Sequence, residues 1–302
     1  MGTPFISLLE PTTLDWERAL PPDEQPNAAS IPRTFLDAMT VRTQVFVHEQ
    51  QIPQANEYDA DDQRCAHWVI YASVNKTVAP AITDPNTGEV LRSRQSETQS
   101  LPIGTIRLVP FPHPPHPLHG GVYVDGELVG SSSSSDSAQD NEDNDKPTSP
   151  PGAADPTITT TNTTQQQQQQ PTFTPDRPTT FHDGLEPYVK LGRLAVTREF
   201  RGRGIAGQLV RTAVEWMRTH GSYFDPSPAE RGFEHLGMER QAGALPPRWD
   251  GLVCCHAQED AVQVWEKCGF RVDEGMGRWF EEGIPHVGMF LRVDVEPEVK
   301  AL

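Results

Sequence analysis

The chain is 302 residues long and carries 42 acidic against 25 basic side chains, a formal charge of −17 at pH 7. A surface of that sign repels nucleic acid and anionic membranes and favours encounter with a cationic partner such as a small amine or a basic peptide. No apolar run approaches membrane-spanning length, and the opening residues lack a basic segment ahead of a long apolar core, so neither a spanning helix nor a secretory leader is expected.

In chain order, Phe5–Leu9 reads as a short strand. From Thr34 apolar residues recur at Phe35, Met39, Val41, Val45 and Phe46, a helical spacing, and Thr34 with Asp37 has the form of a capping box. This first helix should stop before Ile52-Pro53, because the residue preceding a proline is driven out of the helical region. An acidic loop with Glu57, Asp59, Asp61 and Asp62 follows, then a buried strand at His67–Tyr71. Residues 76–100 are polar with Pro and Gly and read as a hairpin or loop expansion. A second strong strand, Ile103–Phe111, ends in a proline-dense run holding His113, His116 and His119. Prolines keep those histidines off one helix face and no cysteine or carboxylate accompanies them, so no metal site is expected. Val122–Val129 reads as a further strand or as part of the loop.

Between Ser131 and Thr180 lie a serine run, an acidic stretch, a Pro/Thr segment and the glutamines Gln165–Gln170, with almost nothing large and apolar to bury. Such a composition cannot offset the entropy of ordering the backbone, and the segment is expected to be disordered. It accounts for about −5 of the charge, leaving the remainder near −12. One domain of 1–302 interrupted at 131–180 is the simplest organisation, with residues 221–250 as another Pro/Gly-rich loop expansion.

Beyond the insertion, Tyr188–Val196 is a strand and the next segment a helix with the apolar stripe Ile205, Leu209, Val210, Ala213, Val214 and Met217. Leu252–Cys255 reads as a strand, Glu259–Lys267 as a helix, and Phe270–Val272 and His286–Val293 as closing strands. The four cysteines Cys65, Cys254, Cys255 and Cys268 form no CxxC pair, and three sit in apolar runs, which suits reduced buried thiols in a cytosolic or nuclear setting. The element order is that of a mixed α/β sheet.

Chemistry concentrates at the junction between Val196 and the long helix, Arg201-Gly202-Arg203-Gly204-Ile205-Ala206. Glycines allow a tight turn and close approach of a ligand to the backbone, while the unpaired N–H groups and dipole of a helix start favour a pyrophosphate, with two arginines as further donors. No Gly-Lys-Ser/Thr follows and the dinucleotide glycine spacing is absent, which excludes both common nucleotide loops. Arg201, Gly204 and Ala206 directly after a strand resemble the acyl-CoA signature of the GNAT superfamily. VRTQVFVHEQQIP with Glu57, Asp59, Asp62 and His67 is similar to the first helix and loop of the ElaA-like GNAT subfamily, and HAQEDAVQVWEKCGF with EEGIPHVGM to its C-terminal half.

That resemblance implies a GNAT fold, a central twisted mixed sheet of six to seven strands flanked by about four helices, and an N-acetyltransferase that moves the acetyl group of acetyl-CoA to a primary amine within a ternary complex. It implies that backbone groups of Leu194, Ala195 and Val196 pair with the pantetheine arm and polarise the thioester carbonyl. The amides of Arg201, Gly202, Arg203, Gly204, Ile205 and Ala206 would hold the pyrophosphate, and Ala261 and Trp265 would flank the sulfur end. Many relatives have a tyrosine at Trp265 to protonate the leaving thiolate, which an indole cannot do, so a CoA-binding protein without transfer is the alternative. An alkylamine with a pKa near ~10.4 is almost wholly protonated at pH 7, so an enzyme gains by supplying a base or a desolvating pocket. Glu49, Asp59, Asp62, His67 and His286 are the candidates, each with a plain structural role open to it as well.

Overall fold

A computed structural model describes residues 5–131, 175–224 and 248–296. One ten-stranded sheet dominates it, more than the six to seven strands expected. In sequence the strands are β1 (Phe5–Leu9), β2 (Ala66–Ala79), β3 (Ile82–Thr83), β4 (Val90–Arg92), β5 (Gln95–Val109), β6 (Gly121–Val124), β7 (Glu127–Ser131), β8 (Val189–Val196), β9 (Leu252–Gln258), β10 (Arg271–Val272), β11 (Arg278–Glu281) and β12 (Ile284–Arg292). Their order across the sheet is β1-β2-β5-β8-β9-β12-β11-β6-β7, with β10 also on β12, while β3 and β4 pair separately. Among the described residues only β8–β9 and β6–β11 are parallel.

Two local features enlarge the sheet, one adding strands and the other lengthening them. Asp125 and Gly126, at φ +49° and +78°, form the two-residue turn that an Asp-Gly pair favours, folding 121–131 into the β6–β7 hairpin, which docks on the outer edge of β11. The polar 76–100 stretch is a hairpin rather than a loop, since β2 and β5 stay paired from Ala66↔Leu108 out to Ala79↔Gln95.

Four α-helical segments stand among the described residues: α1 (Arg33–Arg42), α2 (Gln54–Glu57), α3 (Ile205–Thr219) and α4 (Val262–Glu266). α1 continues as a π-helical turn, Thr43–Glu49, and Phe35, Met39, Val41, Val45 and Phe46 are all buried as their spacing predicts. The capping box is absent. Pro32 caps the helix without a side-chain bond, and Asp37 is drawn instead to the Tyr71 hydroxyl at 3.0 Å and to Arg33. A buried tyrosine without a partner would be costly, so the long-range bond prevails over the cap.

α3 and α4 cover one face of the sheet, where Leu209, Val210, Ala213 and Met217 meet Trp68, Ile106, Leu191, Val253 and Met289. The opposite face carries α1, the charged loop after it, and a second cluster of Tyr188, Cys254, Met276, Trp279 and Phe290. Cys65, Cys254 and Cys255 are buried thiols and Cys268 is half-buried; all four are free. Of the expected insertion at 131–180, residues 132–174 lie outside the described residues, as do 225–247 of the 221–250 expansion. The margins belong to the fold, because Ser131 ends β7 and Asp176, Arg177, Thr179 and Thr180 bond to the body of the protein.

Candidate active site

The parallel ladder between β8 and β9 has three steps, Val189↔Val253, Lys190↔Cys254 and Leu191↔Cys255, and then stops. Beyond it β8 continues against β5, with Val196 opposite Gly104, while β9 continues against β12, with Gln258 opposite His286. Two strands that part while each keeps its other neighbour leave facing backbone edges, 192–196 and 256–258, outside any ladder. The parting has a visible cause in β8. Arg107 pairs with Gly192 but Thr105 with Ala195, so Arg193 and Leu194 together oppose Ile106, a bulge that bends the strand. Arg193 takes φ +49° to accomplish it.

At the open end of β8 the chain passes through a 3-10 turn, Arg198–Phe200, into Gly202 and Gly204, at φ +73° and +78°. Gly204 caps α3 in the left-handed conformation with no side-chain bond. The first amide bond into the helix is Gln208 N–H to Gly204 O, so the N–H groups of Ile205, Ala206 and Gly207 have no partner among the described residues. Open space surrounds both glycines. One turn on, Arg211 folds over this helix start: a Cβ on Gly207 would stand 3.0 Å from its Nη1. Donors, dipole and cation converge there, which suits a diphosphate. Of the two turn arginines, Arg201 turns its guanidinium inward, with Nε donating to Val196 O at 2.8 Å and Nη2 lying 2.8 Å from Glu49. Its guanidinium is therefore engaged within the protein, and Arg211, which the sequence reading did not single out, is the arginine that lies over the helix start.

The expected bases are largely engaged elsewhere. Asp62 is fully buried between Arg42 and Arg107, with Nη1 of each at 2.7 and 2.8 Å. Burial would raise its pKa, but the two guanidiniums outweigh burial and hold it well below the usual carboxylate range. Asp59 receives both Nη atoms of Arg107 and one from Arg193. Burial is again outweighed, and Asp59 is held at about 2. Neither carboxylate has proton affinity left for an ammonium group. His67 is buried edge-on to Phe35 with Nε2 on Asp62 O at 2.9 Å, and burial lowers its pKa to about 4, so it is a neutral core histidine. Glu49 is committed to Arg201. His286 does reach the fork, opposite Gln258 at the end of β9, with Nδ1 on Ile284 O at 2.8 Å. Trp265 is buried against Phe270 in the core beneath α4, and half-buried Ala261 packs on the same core, so the indole backs the wall rather than flanking an open site.

His256 was not among the candidates. It occupies the first position after the last β8–β9 pair, at the point of the fork. Its Nδ1 lies 2.8 Å from Glu281 Oε1, and the Trp279 indole donates to the same oxygen at 2.7 Å. Burial and then Lys190 lower the His256 pKa, whereas Glu281, despite burial, is held well below its ordinary value by His256. The result is a carboxylate beside a neutral imidazole. Because a carboxylate only accepts, the proton sits on Nδ1 and Nε2 keeps its lone pair. The signal available in the sequence was alternation: in LVCCHAQ, Cys254, His256 and Gln258 share the face away from α3 and α4.

Of the three proline-run histidines, His113 contacts Tyr188 O at 2.9 Å and His116 contacts His182 at 2.8 Å. No group of metal-binding residues occurs among the described residues.

Sheet, fork and uncapped turn together define a mixed α/β protein whose strand–turn–helix junction suits an anionic group and lies near a half-buried histidine–carboxylate pair. Residues 172–230 match the sequence model described as the Acetyltransferase (GNAT) family. Solved structures to which the chain is similar include Escherichia coli ElaA, at 14% identity over 95% of this chain and 99% of that one, with a TM-score of 0.38. An acyl-CoA N-acyltransferase from Pseudomonas aeruginosa is 13% identical over 95% and 99%, with a TM-score of 0.36. Arabidopsis thaliana NAA60 in complex with acetyl-CoA is 10% identical over 97% and 99%, with a TM-score of 0.33. No curated protein matched the chain. No described helix is long and apolar enough to cross a membrane.

Proposed function

We propose that the protein transfers the acetyl group of acetyl-CoA to a primary amine, which attacks the thioester directly while both substrates are bound. The observation that carries this reading is the juxtaposition of the ladder-free edge 192–196 with the uncapped start of α3. The diphosphate sits on the amides of Gly204–Gly207 under Arg211, and the pantetheine arm pairs along Leu194–Val196 as an added strand. An N–H near Val196 stabilises charge on the carbonyl oxygen as the amine adds. His256 Nε2 takes the first proton from the ammonium group, the new C–N bond forms, and as the C–S bond breaks to release the thiolate the adduct's second amine proton is lost to water. Glu281 orients the imidazole and stabilises its charged form, the part a carboxylate plays behind a catalytic histidine. Trp265 supplies no proton. A thiol of pKa about 8.5 leaves tolerably as the thiolate.

Acidic groups near the fork, Glu49 and Glu281 among them, and the charge of −17 favour a cationic acceptor, a small amine or a basic peptide end. The decisive assay is release of free CoA thiol from acetyl-CoA across a panel of amines, with mass measurement of the acceptor. Thiol release matched by an added acetyl mass supports transfer; tight acetyl-CoA binding with no turnover on any amine supports the non-catalytic alternative instead. Gly204→Glu tests the site itself, because it aims a carboxylate into the diphosphate's place. Unchanged calorimetric affinity would remove the turn from the reading.

A further inference from the structure

Arg193 is the residue on which the fork turns, and its backbone is in a conformation that an arginine does not seek. At φ +49° it lies in the left-handed region, where a residue with a Cβ stays only when its surroundings hold it. The hold is a six-charge cluster. Arg42 from α1, Glu57 from α2, Asp59 and Asp62 from the loop, and Arg107 from β5 meet Arg193, three cations against three anions. Arg193 Nε stands 3.3 Å from Glu57 Oε1 and its Nη2 3.0 Å from Asp59 Oδ2.

Neither carboxylate depends on it. Glu57 Oε1 already accepts Arg42 Nε at 2.5 Å, and Asp59 already takes both Nη atoms of Arg107 at 2.7 and 2.8 Å. Arg193 is also the most exposed of the three arginines, at 28% against 1% and 5% for Arg42 and Arg107. The cluster would stay satisfied without it. Of the six, Arg193 alone stands on β8, so what its ion pairs fix is the strand. Held from the α1 side, the peptide after Arg193 is turned, and with it the direction in which Leu194, Ala195 and Val196 present their backbone to the fork.

We propose that Arg193 is a positioning residue for acyl transfer: its ion pairs with Glu57 and Asp59 lock the β8 bulge so that the following amides face the thioester carbonyl. The inference rests on the acyl-transfer reading given above. Three substitutions separate it from a general structural role. Arg193→Ala and Arg193→Gly both remove the ion pairs, but glycine suits φ +49° and alanine does not; Arg193→Lys keeps a charge without the fork of donors. Expected are kcat values lowered by about 10- to 100-fold in both the Ala and Gly variants, the scale of a misplaced oxyanion donor. Lys should recover part of the loss, and calorimetric affinity for free CoA, which has no acyl group, should stay within about twofold in all three. A wild-type kcat in either the Ala or the Gly variant overturns the inference. Loss of free-CoA affinity in step with kcat overturns it too, because then the site as a whole has loosened. Wild-type protein under the same conditions is the reference: if it releases no thiol with any amine, the acyl-transfer reading fails and takes this inference with it.

Discussion

A histidine bonded to a carboxylate through one nitrogen is committed to present a lone pair at the other, and His256 shows what that commitment requires. Glu281 lies 25 positions away along the chain, and only the β9–β12–β11 register brings them to 2.8 Å. This is why the pair was not legible in the sequence: in an apolar run a histidine reads as core, and its partner is fixed by strand pairing. The acidic loop misled for the mirror reason. Asp59 and Asp62 are conspicuous in sequence, but the arginines that neutralise them, Arg42, Arg107 and Arg193, come from three separate elements. We expect His256→Gln to lower kcat by about 10²- to 10⁴-fold, the usual range for a lost general base. Acetyl-CoA affinity should be unchanged by calorimetry, because the turn proposed to bind the diphosphate is untouched. Glu281→Gln should lower kcat less and move the acid limb of the pH–rate profile further down, since it removes the charge that favours protonated His256. That limb should lie below pH 6.5 in the wild type, as burial lowers the His256 pKa.

Two other histidines carry a stability prediction of definite sign. Burial lowers His67 and His116 to about 4. Their value in the unfolded chain is about 6.5, so between those limits the unfolded chain binds protons that the folded one refuses. Stability should therefore fall as pH drops from about 6.5 towards 4, by a few kcal/mol at most, and level off below. Asp59, held at about 2, acts in a separate window, stabilising above about 3.8 and losing that contribution as pH falls towards 2. Urea titrations at several pH values would show the first loss between pH 6.5 and 4. His67→Phe should flatten part of it, and an unaltered slope would contradict the assignment.

At the scale of elements, long periodic segments were legible and short ones were not. α3 was predicted with its stripe correct because Leu209, Val210, Ala213 and Met217 recur at the spacing that buries one face, and each is fully buried. By contrast four-residue β11 is too short for a period to show and was missed, and β6 and β7 were read together as one strand or loop, so a sheet of ten strands exceeds the six or seven that the resemblance implied. The bulge was invisible as well, since Gly192-Arg193-Leu194 has no turn signature and is bent by partners outside the strand. Leu209 offers the clearest test of the α3 interface. Its side chain is completely buried among both strands of the parallel pair and their neighbours, so Leu209→Ala should cost about 2–5 kcal/mol in denaturant unfolding. Val214→Ala, at a half-buried edge of the same helix, should cost clearly less. Equal losses would mean that α3 does not face the sheet as described.

For the molecule as a whole, the question is what the stretch between Ser131 and Asp176 contributes. Its two margins attach to one patch. Ser131 pairs with Gly121, while Asp176 accepts the His116 amide at 2.6 Å and Arg177 donates to Pro117 O at 2.8 Å, so both ends are fastened to residues 116–121. The returning end is bolted down further by buried Asp273, which accepts Thr179 Oγ1 and the Thr180 and Phe181 amides at 2.7, 3.0 and 2.8 Å. Ends fastened at one place close a loop, and closure entropy varies only with the logarithm of its length. Replacing residues 132–174 by a Gly/Ser linker of about ten residues should leave stability unchanged or raise it by about 1 kcal/mol. Acetyl-CoA affinity should also be preserved, because the turn and fork are built from residues on either side. Turnover then discriminates: a kcat equal to wild type on a small amine makes the replaced stretch dispensable to the chemistry. Lost activity with intact binding would assign to it a part in delivering the acceptor. Asp273→Ala in the full-length chain is the control, since it frees the strap and should lower stability where the linker replacement does not.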